Sequence, residues 1–210
     1  MPLFYQQDIN LTTKLGIWKI EEPEDFFLQS VPLQRSITHP HKRLQHLAGR
    51  FLLPFLFPDF PHAEIEIADT RKPFLPDEQY HFSISHCGDY AAAIVSSKER
   101  VGIDIELITS RIHHIKHKFL HTEELAFVNT HPEHQQTRLL TLLWSAKEAM
   151  FKWWGRGDVD FSEVLRVNDF KFSAEGIIPA LFTKDAIQVP LNVYYRMPEG
   201  LSLAWVVSNE

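Results

Sequence analysis

The chain has 210 residues and a formal charge of −6 at pH 7, which suits one domain or two small ones and argues against a general nucleic-acid binder, since no Lys/Arg-rich run offsets the acidic balance. Its one cysteine, Cys87, excludes an internal disulfide framework, the N-terminus lacks the basic-then-apolar pattern of a signal peptide, and no apolar run approaches the roughly 20 residues of a membrane-spanning helix. The expectation is a cytoplasmic, globular protein with no nucleic-acid or membrane partner.

In chain order, Leu15 to Ile20 reads as a short strand, and Glu22-Pro23-Glu24-Asp25 then supplies the proline and acids that favour a helix start. From His41 to Leu53, Leu44, Leu47, Ala48, Phe51 and Leu52 recur on one helical face. Arg43 and Arg50 lie two turns apart on nearly one side of that helix, where they either solvate it or clamp a phosphate. Ala63 to Ile67 alternates as a strand, the Arg71-Lys72-Pro73-Phe74 stretch turns, and His81 to His86 alternates again, ending in Ser85-His86 just before Gly88. Tyr90 to Val95 is a small-residue apolar strand.

Val101 to Leu107 is the next strand. Alternation places Ile103, Ile105 and Leu107 on one face and Gly102, Asp104 and Glu106 on the other, so two carboxylates stand about 6.5 Å apart on the same side. A solvated face tolerates that repulsion; a hard divalent cation such as magnesium would use it. Thr109 to Asn129 is helical in tendency. Its His113, His114, His117 and His121 lack a cysteine or fixed carboxylate to complete a zinc site, and with Arg111, Lys116 and Lys118 they read as a basic, solvent-facing helix. A long helix follows, carrying Leu139, Leu140, Leu142, Leu143, Ala146 and Met150 and stopping at Gly155. On it Glu148 and Lys152 are four apart, a carboxylate and an ammonium on one face among crowding aromatics, while Lys147 points elsewhere. From Phe161 onward, runs at 170–172, 177–182, 189–195 and 201–207, broken by Gly and Pro, read as an antiparallel sheet.

Gly102-Ile103-Asp104-Ile105-Glu106 followed downstream by Trp144-Ser145-Ala146-Lys147-Glu148-Ala149-Met150-Phe151-Lys152 resembles the 4'-phosphopantetheinyl transferase superfamily, in its longer, single-chain surfactin-synthetase-activating type. Lys72-Pro73, the strand ending in Ser85-His86, Ala48-Gly49-Arg50, the element from Phe119 to Glu124 and Gly155-Arg156-Gly157 resemble its other motifs in the same order. The resemblance implies an α+β fold: a pseudo-dimer of two similar halves, 1–100 and 101–210, each a small, mainly antiparallel sheet packed with helices, with coenzyme A in a cleft between them. It implies transfer of 4'-phosphopantetheine from coenzyme A to a serine of an apo acyl or peptidyl carrier protein by a monomeric enzyme. Asp104, Glu106 and Glu148 would hold magnesium. Glu148, Lys152 and His86 would act on the reacting pyrophosphate, Ser85 and Lys72 would contact the nucleotide phosphates, and Arg50 with Arg43 would take the 3'-phosphate. Arg71 and Cys87 depart from the usual pattern. The rival readings are a carrier-binding member of the fold that has lost transfer and a magnesium-dependent hydrolase of coenzyme A.

Overall fold

The computed structural model describes residues 2–33 and 36–208 and divides into two compact units, 2–101 and 102–208. In the first unit, β1 (Leu3–Asp8), β2 (Thr13–Lys19), β5 (His81–Cys87) and β6 (Tyr90–Ser96) form an antiparallel sheet in the order β1-β2-β6-β5. Two short strands, β3 (Glu66–Ile67) and β4 (Pro73–Phe74), pair separately. Helix α2 (Pro40–Leu56) lies on the sheet and α1 (Glu24–Leu28) packs on α2. Leu47, Ala48, Leu52, Leu53 and Leu56 of α2 bury against Ala91, Ala93 and Val95 of β6. The alanines let the helix come close, and at Gly49 a Cβ would stand 2.5 Å from Ile84 Cγ2.

The second unit repeats this plan with a longer helix. Its sheet runs β7 (Arg100–Leu107), β11 (Leu201–Ser208), β10 (Ile187–Arg196), β9 (Glu175–Lys184), β8 (Leu165–Val167), with β7 beginning at the junction of the units. Helix α4 (Glu133–Trp154) packs on β8, β10 and β11 and buries Leu139, Leu140, Leu142, Leu143, Ala146, Ala149, Met150 and Trp153 against Ala180, Phe182, Val193 and Val206. The chain is thus an α+β protein with two similar sheet-plus-helix halves.

Four local readings change. The stretch from Ala63 to Ile67, expected as one strand, is a 3₁₀ turn at His62–Glu64 followed by the two-residue β3. Strand β1 escapes the sequence because none of its six residues is buried; an edge strand held by ladder hydrogen bonds need not display an apolar row. The stretch from Thr109 to Asn129 is not one helix but 3₁₀ turns at Ser110–His114 and Lys116–Lys118 followed by α3 (Thr122–Asn129). Here His121 caps α3, its Nδ1 accepting from the Glu123 amide at 3.3 Å while Glu124 Oε2 accepts from the His121 amide at 2.8 Å. Residues 170–172 are not a strand; the strand in that region is β8, and Phe170 and Phe172 pack against the core as loop residues.

Strand β7 and α4 approach closely at Gly102. A Cβ built on Gly102 would fall 2.1 Å from the Ala149 carbonyl oxygen and 2.6 Å from the Trp153 amide nitrogen. Only a residue without a side chain lets the helix backbone rest on the strand there. Gly102→Ala is therefore expected to destabilise the chain by about 1–3 kcal/mol, the usual range for overpacking. Denaturant melts of the two proteins measure this, and an unchanged midpoint would mean that the helix does not sit on the strand backbone.

Candidate functional site

Three residues of α4, Trp144, Glu148 and Lys152, follow one another at four-residue spacing and so form one stripe along the helix. The stripe is the half-exposed side of α4; its neighbours Ser145, Ala146, Lys147, Ala149 and Met150 are all buried. Strand β7 supplies the facing groups. Lys152 Nζ donates to Asp104 Oδ1 at 2.7 Å, and Trp144 Nε1 donates to Glu106 Oε1 at 3.0 Å. The close approach at Gly102, two residues before Asp104, brings strand and helix near enough for both contacts. Asp104 is buried, with 2% of its surface exposed.

The three acids feel one another. The carboxyl of Glu148 is raised to about 7, first by burial and then by the charge of Asp104, with Glu106 adding to the effect and Lys152 opposing it. Glu106 is likewise raised to about 7, by burial and by Asp104, against the Trp144 hydrogen bond and Lys152. One ammonium thus faces three carboxyl groups, and the excess of negative charge is relieved by protonation near neutral pH. A donor set made wholly of carboxylate oxygens, strained by its own repulsion, fits a hard divalent cation. Among the described residues no group of three or more His, Cys, Asp or Glu side chains stands ready-made around an ion position; in this arrangement Lys152 engages Asp104, and Trp144 engages Glu106.

Lys147, adjacent to Glu148, has a different task. Its side chain is fully buried and forms an ion pair with Glu124 Oε2 at 2.5 Å. Its ammonium also donates to the carbonyls of Phe119 at 2.7 Å and Phe161 at 2.9 Å. Burial lowers the ammonium to about 8 against the pull of Glu124. The second oxygen of Glu124 accepts from the Val167 amide on β8 at 2.9 Å. This pair therefore joins α4, α3, β8 and the loop at Phe161. Sequence reading sent Lys147 away from the site and saw the Phe119 to Glu124 element, but did not join the two; nor did it give Trp144 a partner. The spacing of Trp144 to Glu148, identical to that of Glu148 to Lys152, was the available signal.

The remaining expected contacts lie in the first unit. Arg50 on α2 is buried, with 4% exposed. Arg43 donates to Glu24 Oε2 at 2.7 Å and to the Ile37 carbonyl at 3.4 Å. Lys72 is half-buried, its ammonium lowered to about 8 by burial and by Arg100. On β5, Ser85 is buried and His86 is exposed. The structure brings together Asp104, Glu106, Glu148 and Lys152, and places the other five within the first unit. Among the histidines proposed to line a basic helix, His113 bonds to Thr137 Oγ1 at 2.9 Å, while His121 serves as the α3 cap.

Comparison with known proteins matches residues 100–197 to the family described as the 4'-phosphopantetheinyl transferase superfamily. The chain is 35% identical over 120 residues to an enterobactin synthase component D of Salmonella austin, covering 53% of this chain and 47% of the relative. It is 34% identical over 115 residues to the 4'-phosphopantetheinyl transferase AcpT of Escherichia coli K12, covering 53% and 57%. A 4'-phosphopantetheinyl transferase of Bacillus subtilis is 38% identical over 92 residues, covering 43% and 41%. The chain spans about half the length of the curated relatives it matches.

Two measurements follow from this electrostatics. Glu106 and Glu148 keep their protons to about 7 when folded but have an ordinary value of 4.5, so the folded state binds more protons between those values and stability falls as pH rises through that window. In chelator-treated protein the melting temperature should decline from pH 5 to pH 8, and Glu148→Gln should flatten the decline. Added magnesium should raise the melting temperature more at pH 8 than at pH 5.5, because protons compete for the same oxygens. A cation effect of equal size at both values would contradict the shared site. Separately, Lys147→Met leaves buried Glu124 with only the more distant Arg166, Nε to Oε1 at 4.0 Å, and is expected to cost about 3–5 kcal/mol in chemical denaturation; a loss within error of zero would mean that the pair is not sealed from water.

Proposed function

We propose that the chain, whose residues 100–197 match the 4'-phosphopantetheinyl transferase superfamily, is a cytoplasmic, monomeric enzyme of that superfamily, of the surfactin-synthetase-activating type. It moves 4'-phosphopantetheine from coenzyme A to a serine of an apo acyl or peptidyl carrier protein. The observation that carries the reading is the grouping of Asp104, Glu106, Glu148 and Lys152 where β7 meets α4.

In the reaction the serine Oγ forms a bond to the β-phosphorus of coenzyme A, the P–O bond to the nucleotide breaks, and adenosine 3',5'-bisphosphate leaves. Negative charge builds on the phosphoryl oxygens, so positioned cations matter most. Magnesium held by Asp104, Glu106 and Glu148 would supply charge neutralisation at the pyrophosphate. Lys152, held by Asp104, would donate to the same oxygens and to the leaving group. Glu148, with a carboxyl that titrates near neutral pH, suits the role of base for the serine hydroxyl. Trp144 holds one oxygen of Glu106, leaving the other for a ligand. His86 donates to a pyrophosphate oxygen, Ser85 and Lys72 bind the nucleotide phosphates, and Arg50 with Arg43 binds the 3'-phosphate. Arg43 must exchange its bond to Glu24 for that role.

Carrier proteins are usually acidic, and the 3₁₀ turns after β7 offer Arg111 and Lys118 exposed and Lys116 half-buried. These three cations form the docking patch in this reading.

Incubation with coenzyme A, magnesium and a panel of apo carrier proteins, read by intact mass, tests the proposal. Mass gain of one phosphopantetheine on a carrier supports it. Nucleotide release without a carrier indicates the hydrolase, and absence of product with retained carrier binding indicates a lapsed enzyme. Asp104→Ala is expected to lower transfer by at least about 1,000-fold while keeping the fold, since it removes a cation ligand and the partner of Lys152 together; full turnover in that variant would remove Asp104 from the site.

A further inference from the structure

Phe161 opens the turn that leads into β8, and its backbone is pinned from two directions. Asp160 Oδ1 accepts from the Ser162 amide at 2.8 Å and the Glu163 amide at 3.1 Å, and the Asp160 carbonyl accepts from the Val164 amide at 2.9 Å. The Phe161 carbonyl itself accepts from buried Lys147 at 2.9 Å. With its main chain held in this way, the half-buried ring is delivered to one place on α4. It lies nearly parallel to the Trp144 indole, with 5.7 Å between centroids and 25° between planes, and tilts against Phe151 at 5.3 Å. Trp144 and Phe151 are seven apart, so Phe161 spans the two helical turns that carry Glu148 between them. Phe119 meets the same indole edge-on, its centroid 5.2 Å away.

An indole turns about its Cβ–Cγ bond over broad wells, so packing must decide where Nε1 points. Phe119 and Phe161 supply that packing, and Nε1 donates to Glu106 Oε1 at 3.0 Å. Resting on the reading of Asp104, Glu106 and Glu148 as a magnesium site, we infer that Phe161 is a positioning residue of that site. It touches neither cation nor substrate; by holding the indole plane it keeps one oxygen of Glu106 engaged by Trp144 and leaves the other for the cation. The Lys147 contact uses the main chain at 161, so a change of side chain there leaves that ion-pair network in place. A ring that merely fills space behaves differently. Phe170 packs on the same core, and its ring partners are Phe127 and Tyr195.

Three variants separate positioning from packing. Phe161→Leu removes the flat ring but keeps an apolar side chain, Phe161→Tyr keeps the ring, and Phe170→Leu takes a ring from the same core elsewhere. Hydrogen exchange of the Trp144 indole proton, followed by NMR with the signal assigned through Trp144→Phe, should lose its protection in Phe161→Leu and keep it in the other two. Magnesium titrated calorimetrically into the chelator-treated chain with coenzyme A present should bind about 10-fold more weakly to Phe161→Leu, the low end for losing an outer partner of a metal ligand. Phe161→Tyr and Phe170→Leu should match the wild type, whatever each loses in melting temperature. Phe161→Met carries the same test if the leucine variant does not fold. Unchanged magnesium affinity or indole protection in Phe161→Leu, or an equal loss in Phe170→Leu, overturns the role of Phe161 while the cation site stands. A wild-type chain that takes up no magnesium overturns the cation site, and the inference with it.

Discussion

The rotation of α4 about its own axis is fixed by Lys147, and the chemistry of the second unit depends on that setting. An ammonium 0% exposed, with three oxygen partners, has nowhere else to go, because turning it out would strand Glu124 in the core. Successive helical residues differ by about 100° in direction, so locking 147 inward sends Trp144, Glu148 and Lys152 to the adjacent, half-exposed side, where β7 waits. The Gly102 contact then sets the depth of the helix against the strand. One ion pair determines where the stripe aims, and one missing side chain determines how near it comes.

The arrangement works against its own stability. Three carboxyl groups share one lysine, and two of them retain protons up to about 7, because of burial first and the charge of Asp104 second. A fold selected for stability alone would spread these acids apart. Concentrating them beside a rigid helix keeps an electrostatic deficit that a cation and an oxyanion can satisfy together, a common pattern where charge must be stabilised in a transition state.

Much of this was visible in the letters. The burial of Ile103 and Ile105 was legible in their apolar character, although Leu107, read on the same face, is exposed and Gly102 and Asp104 on the other are buried; the length and end of α4 follow from its apolar spacing and Gly155. What the letters withheld was long-range pairing. Lys147 and Glu124 are separated by α3, a turn and half of α4, and no local pattern distinguishes a buried lysine from a surface one. Likewise the histidines from 113 to 121 looked like one basic helix because their spacing is nearly helical. The chain breaks there because His121 is used as a cap and Phe119 and Leu120 are drawn into the core.

The two close glycines differ in what their neighbours can give. At Gly49 the nearest atom is a methyl of Ile84, which a smaller residue at 84 would withdraw, so an added methyl on one partner can be answered by trimming the other. At Gly102 the obstacles are a carbonyl and an amide, which every amino acid carries alike. Evolution can renegotiate the first joint in pairs of substitutions, whereas the second admits no such exchange, and the strand that bears Asp104 and Glu106 inherits that rigidity.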